Sequence, residues 1–159
     1  MKIGIMSDTH DNIDNITKAV NLFNKRAVDK VIHAGDFTSP FSLKPIDSLN
    51  AEFIAIFGNN DGDLLQLRER SNGRINKQPH TININGKNII ILHEHFLIDA
   101  LADSGHYDII IYGHTHKAVN EKRGSTLVIN PGETGSWLYG KATVAILDLD
   151  LMSAEIITL

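Results

Sequence analysis

The sequence predicts an α/β protein, of the mixed α+β kind, in which two packed sheets carry helices on the outside. In the first half, short apolar segments alternate with a helical pattern, which is typical of parallel strands joined by helices. In the second half, two-residue turn signals separate pairs of apolar segments and indicate antiparallel hairpins. The 159 residues can bury one substantial core, so residues 1–159 are expected to form a single domain.

The first half is expected to begin with a buried strand at Lys2–Met6, because this segment is apolar on both faces. A helix follows, since apolar residues recur at helical spacing from position 13 to position 23. Further strands are predicted at Lys30–His33 and at residues 52–57, with a short helix at residues 43–49 between them. His33 lies inside an apolar run and is predicted to be a core histidine with satisfied ring nitrogens.

The second half is expected to contain two hairpins, with turns at Asn85-Gly86 and Arg123-Gly124. The remaining elements are predicted, in chain order, as strands at 81–84 and 87–92, a helix at 96–103, and strands at 108–112, 119–122, 126–129, 142–147 and 154–158. The sheets are therefore expected to be partly parallel and partly antiparallel.

Composition limits the possible partners. The formal net charge is -4 and no basic run occurs, so the electrostatic footprint of a protein that binds polymeric nucleic acid is not evident. A mildly acidic chain needs metal ions to attract a phosphate. The absence of cysteine excludes disulfides and thiolate ligands. Because no signal peptide or membrane span is evident, a cytoplasmic protein with no membrane partner is expected.

Residues of types that commonly bind metals follow five of the predicted strands. They are Asp8 and His10, Asp36, Asn59, His93, and His114 and His116. Loops beyond strand ends are where α/β proteins bind ligands, and these five loops could converge. Carboxylate, imidazole and amide groups suit divalent cations, and a pair of cations about 3.5–4 Å apart can clamp a phosphate ester. Asp36 is the candidate for a carboxylate that bridges two ions.

The ordered set Asp8-Thr9-His10, Gly35-Asp36, Gly58-Asn59, His93 and Gly113-His114-Thr115-His116 resembles the calcineurin-like metallophosphoesterase superfamily. The length of the chain is similar to that of the small, single-domain prokaryotic phosphodiesterases of that superfamily. The resemblance implies a four-layer α-β-β-α sandwich, in which two mixed sheets are flanked by helices and a di-metal centre lies at one end of the sheets.

The resemblance also implies two sets of ligands. The first ion would be held by Asp8, His10, Asp36 and His116, and the second by Asp36, Asn59, His93 and His114. The nucleophile would be a hydroxide that bridges the two ions. Mn is the expected metal, with Ni, Fe, Zn and Mg as alternatives, because mixed nitrogen and oxygen sites accept many cations.

The residue after Asn59 departs from the family pattern. Many larger members have a histidine there, which can protonate the leaving group, whereas this chain has Asn60. An amide cannot act as a general acid at neutral pH, although it can hydrogen-bond a phosphate oxygen. His95 either contacts the phosphate and supplies the proton or merely lines the loop beside His93. Asn60 and His95 are therefore the predicted catalytic residues.

Three alternatives stay open beside a phosphodiesterase: a non-catalytic scaffold or binding module of the same fold, a nuclease, and a phosphomonoesterase. The full ligand set favours an enzyme, and the lack of a basic stripe favours a small phosphodiester over polymeric nucleic acid. The apolar residues Trp137, Leu138 and Tyr139 either form a homodimer contact or pack within a loop. Glu133 either tunes the site or points to solvent.

Overall fold

Segments that are apolar on both faces build two mixed sheets in the computed structural model, which describes residues 1–159. The strands are β1 (Lys2–Met6), β2 (Lys30–His33), β3 (Glu52–Ile56), β4 (Ile75–Asn76), β5 (His80–Ile84), β6 (Lys87–Ile91), β7 (Ile109–Ile111), β8 (Val119–Arg123), β9 (Thr126–Asn130), β10 (Thr143–Asp148) and β11 (Ser153–Thr158). The α-helices are α1 (Ile13–Lys25), α2 (Leu64–Arg70) and α3 (Ile98–Asp103).

The first sheet has the order β11-β10-β1-β2-β3-β4, and the second has the order β5-β6-β7-β9-β8. Strands β1 to β4 run parallel, while β10 and β11 each pair antiparallel with the strand beside them. In the second sheet, β6, β7 and β9 are parallel, and antiparallel β5 and β8 form the edges. Both sheets are thus mixed, as predicted.

Alternate side chains of the inner strands enter different cores, which explains the continuous apolar runs. In β6, Ile89 and Ile91 enter the core between the sheets, whereas Ile90 faces α3. On the outer face of the first sheet, Phe23 of α1 and Leu67 of α2 share a core with Phe53 of β3. Helices therefore cover the outer face of each sheet, and the predicted four-layer sandwich is confirmed. No helix has the length and apolar character that crossing a membrane requires.

Helix α1 forms where the apolar periodicity predicts it. Asn12 caps its start, because the Asn12 side chain accepts a hydrogen bond from the Asn15 backbone N–H at 3.1 Å. Asp14 in the first turn and Lys25 in the last turn complement the helix dipole. The apolar face of the helix is buried against β1 and its neighbours.

The structure corrects two of the predicted features and adds two elements. The helix expected at residues 43–49 is a pair of 3₁₀ turns, Pro40–Leu43 and Pro45–Ser48, because Pro45 lacks the N–H that would continue a helix. The turn of the second hairpin is Gly124-Ser125, since Arg123 still pairs with Thr126. Helix α2 and strand β4 were not predicted, and both are too short to show a clear period.

His33, at the end of β2, is a fully buried core histidine, as predicted. Its Nδ1 accepts a hydrogen bond from the Gly35 N–H at 3.1 Å, so its proton lies on Nε2, 3.1 Å from Thr9 Oγ1. The ring stacks on Phe37 with 3.7 Å between centroids. Burial, helped by the nearby His93, lowers the pKa of His33 to about 3. Protonation would also break the bond from Gly35, so the folded state keeps this ring neutral.

We expect His33 to make the unfolding free energy fall as the pH drops from 6.5 towards about 3. The unfolded chain binds a proton in this range and the folded chain does not, so folding weakens by about 1.4 kcal/mol per pH unit. Urea unfolding of the metal-free protein at several pH values measures the slope. His33→Gln should give a shallower slope and exposed His106→Gln an unchanged one. Equal slopes for His33→Gln and the parent would contradict this assignment.

Candidate metal centre

The ends of five strands meet at one edge of the sandwich. The parallel strands β1, β2 and β3 of the first sheet end there, as do β6 and β7 of the second sheet. Backbone hydrogen bonds join the loops, from Asp8 N–H to Gly35 C=O at 3.0 Å and from Gly113 N–H to His93 C=O at 3.2 Å. All seven predicted metal ligands lie on these loops: Asp8, His10, Asp36, Asn59, His93, His114 and His116.

Two buried carboxylates form the centre of the site. Asp8 Oδ1 lies 3.3 Å from His116 Nε2, and 3.9 Å from the Nε2 atoms of His10 and His93. Asp36 Oδ2 lies 3.6 Å from His10 Nε2 and 3.3 Å from His93 Nε2. His10 and His93 belong to different predicted ligand sets, so Asp36 stands between the two sets. Two groups of side chains could each hold an ion: Asp8, His10 and His116, and Asp8, Asp36 and His93.

Three buried ring nitrogens at the site have no hydrogen-bond partner. They are His10 Nε2, His93 Nε2 and His116 Nδ1. A buried polar atom without a partner is costly, and such atoms are rare in folded proteins. All three face a carboxylate oxygen within 4 Å without hydrogen-bond geometry: His10 and His93 face Asp36, and His116 faces Glu133. Imidazole nitrogens and carboxylate oxygens that face each other in this way fit divalent cations.

Neighbouring groups orient the imidazoles. His93 Nδ1 donates to the Ala34 carbonyl oxygen at 2.7 Å, so the lone pair of His93 Nε2 is free to bind a cation. His114 Nδ1 lies 2.8 Å from Asn59 Oδ1, which brings together the two remaining predicted ligands. The first of these contacts also joins the sheets, because Ala34 follows β2 and His93 follows β6.

Burial and neighbouring groups shift the pKa values of three residues at the site. Burial works to raise the pKa of Asp36, but the nearby charge of His93 and two hydrogen bonds from Asn60 hold it well below its ordinary value. Burial works to lower the pKa of His93, and the carboxylates of Asp36 and Asp8 outweigh it and raise that pKa. Burial raises the pKa of Asp8 despite His93 and His116.

Glycines permit the close approach of these loops. A Cβ atom at Gly113 would contact Ser7 Oγ and would lie 2.8 Å from Asp8 Oδ2. Gly35 has φ +97°, and a Cβ atom there would lie 2.7 Å from His93 Nδ1. A side chain at either position would therefore displace a predicted ligand.

The backbone of the site is strained. Five of the seven predicted ligands have left-handed φ angles: Asp8 (52°), His10 (41°), Asp36 (64°), His114 (67°) and His116 (59°). Residues other than glycine rarely adopt such angles, which cost on the order of 1–3 kcal/mol each and concentrate at functional sites. The rest of the fold sustains this cost so that the five side chains turn inward.

The two predicted catalytic residues contact different predicted ligands. Asn60 donates to Asp36 twice at 2.8 Å, from its backbone N–H to Oδ1 and from its side-chain amide to Oδ2. Asn60 thus fixes the Asp36 carboxylate. The second N–H of its side-chain amide is available to a molecule in the cavity that Asn60 lines. The exposed His95 ring stacks on His114 with 5.6 Å between centroids. His95 is therefore next to the second predicted ligand set, where a leaving group could reach it.

Glu133 belongs to the site. Its position in the sequence did not show whether it contacts the site or points to solvent. It is buried, and its Oε1 lies 3.3 Å from His116 Nδ1. The same carboxylate accepts hydrogen bonds from the backbone N–H groups of Trp137, Leu138 and Tyr139. Glu133 therefore supports a predicted ligand and also shapes the adjoining loop.

Asp61 fixes two loops of the site to each other. It accepts backbone hydrogen bonds from Phe37 at 2.6 Å, from Thr38 at 2.8 Å and from Gly58 at 2.7 Å. Burial raises the pKa of Asp61 although these N–H groups work to lower it. The loops after β2 and β3 are thereby held together beside Asp36. No role for Asp61 was predicted from the sequence.

An open cavity of about 480 Å³ leads to the centre. It is lined by His10, Thr38, Asn60, His116, Trp137 and Leu138. Polar site residues form one part of its wall and exposed apolar side chains form the other. A small ester could therefore reach the candidate metal ligands directly from solvent.

Comparison with known proteins identifies the family. Residues 1–152 match the model of the calcineurin-like phosphoesterase superfamily domain. The chain belongs to this superfamily. The family predicted from the motifs is thus confirmed, and membership implies divalent metal ions. The phosphoesterase is 45% identical over 157 residues to phosphodiesterase MJ0936 of Methanocaldococcus jannaschii, with 94% of each chain covered.

Solved structures agree with this assignment. An archaeal phosphodiesterase aligns with the whole of this phosphoesterase, with 100% of both chains covered, 43% identity and a TM-score of 0.93. The YfcE phosphoesterase of E. coli aligns with a TM-score of 0.73 at 22% identity, covering 99% of this chain and 98% of its own. The second likeness shows a shared fold.

We expect Glu133→Gln to lower the affinity for Mn²⁺ by about 10- to 100-fold, as is typical when the partner of a ligand histidine is changed. Glutamine keeps the size of the side chain but removes the charge that faces His116. Calorimetric titration of the metal-free protein measures the affinity, with exposed Glu69→Gln on α2 as the matched control. Equal affinities in the two variants would show that Glu133 does not support the ligand.

Proposed function

We propose that this chain is a metal-dependent phosphodiesterase that holds two divalent ions at the convergent strand ends. The observation that carries the proposal is the pair of buried imidazole nitrogens without partners, His10 Nε2 and His93 Nε2, beside the buried carboxylates of Asp8 and Asp36. Such a set is unfavourable without cations and becomes favourable with them. The name of the relative that is 45% identical, a phosphodiesterase, supports the same activity.

The proposed ligand sets are those that the family pattern implies. Asp8, His10, Asp36 and His116 would hold one ion, and Asp36, Asn59, His93 and His114 would hold the other. The position of Asp36 Oδ2 between His10 and His93 supports its role as the bridge. We propose Mn²⁺ as the native ion, because the site mixes carboxylate and amide oxygens with imidazoles and has no thiolate. Metal analysis of protein purified without chelators tests this choice.

Several residues around the proposed ions have specific roles. When bound, the ions neutralise phosphate oxygens and make a water molecule acidic enough to supply the nucleophile. Asn60 holds the Asp36 carboxylate, the Ala34 carbonyl orients His93, and Glu133 supports His116. The open cavity admits the ester, and the second amide N–H of Asn60 is available to a phosphate oxygen.

The alternatives are less well supported. A scaffold would not need seven convergent ligands, and the relatives above carry enzyme names. The net charge of -4 supports a small phosphodiester rather than polymeric nucleic acid. We further propose that residues 1–159 act as one metallophosphoesterase domain. A cytoplasmic location and a homodimer stay predictions, to be tested by cell fractionation and by sedimentation.

We expect the Mn²⁺-loaded protein to hydrolyse bis(p-nitrophenyl) phosphate and the metal-stripped protein to be inactive. Asp36→Asn should lower the rate by at least about 100-fold, because a ligand matters more than its supporting partner, for which 10- to 100-fold is typical. Exposed Asp103→Asn on α3 is the matched control and should keep full activity. Retained activity in Asp36→Asn, or no hydrolysis by a protein with demonstrated metal binding, would reject the proposed activity.

We expect aryl phosphodiesters to react faster than alkyl ones, because Asn60 cannot protonate a basic leaving group and losing a general acid costs about 10²–10⁴-fold. If His95 supplies the proton instead, His95→Gln should slow an alkyl substrate more than an aryl one. Exposed His106→Gln is the matched control. Equal parent rates with aryl and alkyl esters at saturating metal would contradict weak leaving-group assistance.

A further inference from the structure

An exposed indole forms one wall of the cavity at the candidate metal centre. Trp137 is the only tryptophan in the chain, and 64% of it is exposed. Leu138 beside it is 67% exposed. Both line the cavity that His10 and His116 also line. The residues 137–139 therefore do not pack within their loop, which was one of the two roles considered from the sequence.

The indole is held in place although it is exposed. Trp137 Nε1–H donates to the His10 carbonyl oxygen at 3.1 Å, and the Trp137 backbone N–H donates to the buried Glu133 carboxylate. The Gly135 carbonyl accepts a hydrogen bond from Asn12 Nδ2 at 2.8 Å, and the Gly135 N–H donates to Asp8 C=O at 2.9 Å. A ring that is already fixed loses little conformational freedom when a ligand stacks on it.

We propose that Trp137 forms a subsite for a planar aromatic group carried by the phosphate ester, either an aryl ring or a nucleobase. The proposal rests on the proposed function, because the metal centre would hold the phosphate while the ring lies on the indole. Tryptophan is usually largely buried, so a fixed and exposed indole is unusual for a residue that only packs. Its anchor on the backbone of His10, a proposed ligand, favours a substrate over a second copy of the chain.

Binding of phosphonates tests the subsite without any hydrolysis. Phenylphosphonate and methylphosphonate carry the same anionic group, and neither has an ester bond to break. We expect the Mg²⁺-loaded protein to bind phenylphosphonate about 10-fold more tightly, within the range known for base–aromatic stacking. Indole emission should change with phenylphosphonate alone, and Trp137 is the sole source of that signal.

A second pair of ligands separates the two sources of the ring. Adenosine 5′-monophosphate carries adenine at the carbon where ribose 5-phosphate carries a hydroxyl group. This base lies farther from the phosphate than the phenyl ring of phenylphosphonate does. A preference for the nucleotide that exceeds the preference for phenylphosphonate assigns the subsite to nucleobases, and the reverse assigns it to aryl esters. Equal affinities within both pairs would overturn the proposal.

Variants link the preference to the indole. By calorimetry, Trp137→Ala should bind phenylphosphonate no more tightly than methylphosphonate, and Trp137→Phe should keep part of the preference for the ring. Leu151→Ala removes an exposed apolar side chain at the opposite end of the sandwich and should behave as the parent. A full ring preference in Trp137→Ala, with or without a change in oligomeric state, would overturn the subsite.

The two proposals fail in different ways. A ring preference that depends on Trp137, in a protein that hydrolyses no diester, would support the subsite and reject the proposed activity. Hydrolysis of bis(p-nitrophenyl) phosphate without any ring preference would support the activity and reject the subsite.

Discussion

The contact between the Asp36 carboxylate and the His93 imidazole joins the two sheets at the edge that carries the candidate metal centre. Asp36 follows β2 of the first sheet and His93 follows β6 of the second, and their nearest atoms are 3.3 Å apart. Both residues are buried, so each side chain needs the charge of the other. The packing of isoleucines between the sheets therefore also sets the distance between the two predicted ligand sets. A change in sheet separation would change the geometry of the site.

The same edge contains features that destabilise the folded state. Left-handed backbone angles at five predicted ligands and three ring nitrogens without partners all disfavour the folded state. The cores on both sides of the sheets offset this cost. A cation would satisfy the nitrogens and the carboxylates together, so metal binding and folding are linked. The groups that make the site reactive are thus those that make it unstable without metal.

The sequence was most informative where one local rule decides the structure. Strand β2 was predicted with the observed bounds, because a continuous apolar run and the following Gly35 define it. The ligand loops were predictable because residues that can bind metals lie shortly after the end of each of these strands. The prediction at residues 43–49 was wrong, because Pro45 outweighs the weak helical pattern. The contact of Glu133 with His116 could not be predicted, since it depends on how a loop returns across the fold.

Glu133 also shows that the metal centre and the wall of the cavity are not independent. One oxygen of its carboxylate faces His116, and the carboxylate accepts the backbone N–H groups that fix Trp137 and Leu138. Any movement of the loop that carries the indole would pull on the support of a proposed ligand. A ligand that stacks on Trp137 would therefore steady His116, and an ion that fixes His116 would steady the indole. Binding at the two places should favour each other, because one buried charge serves both.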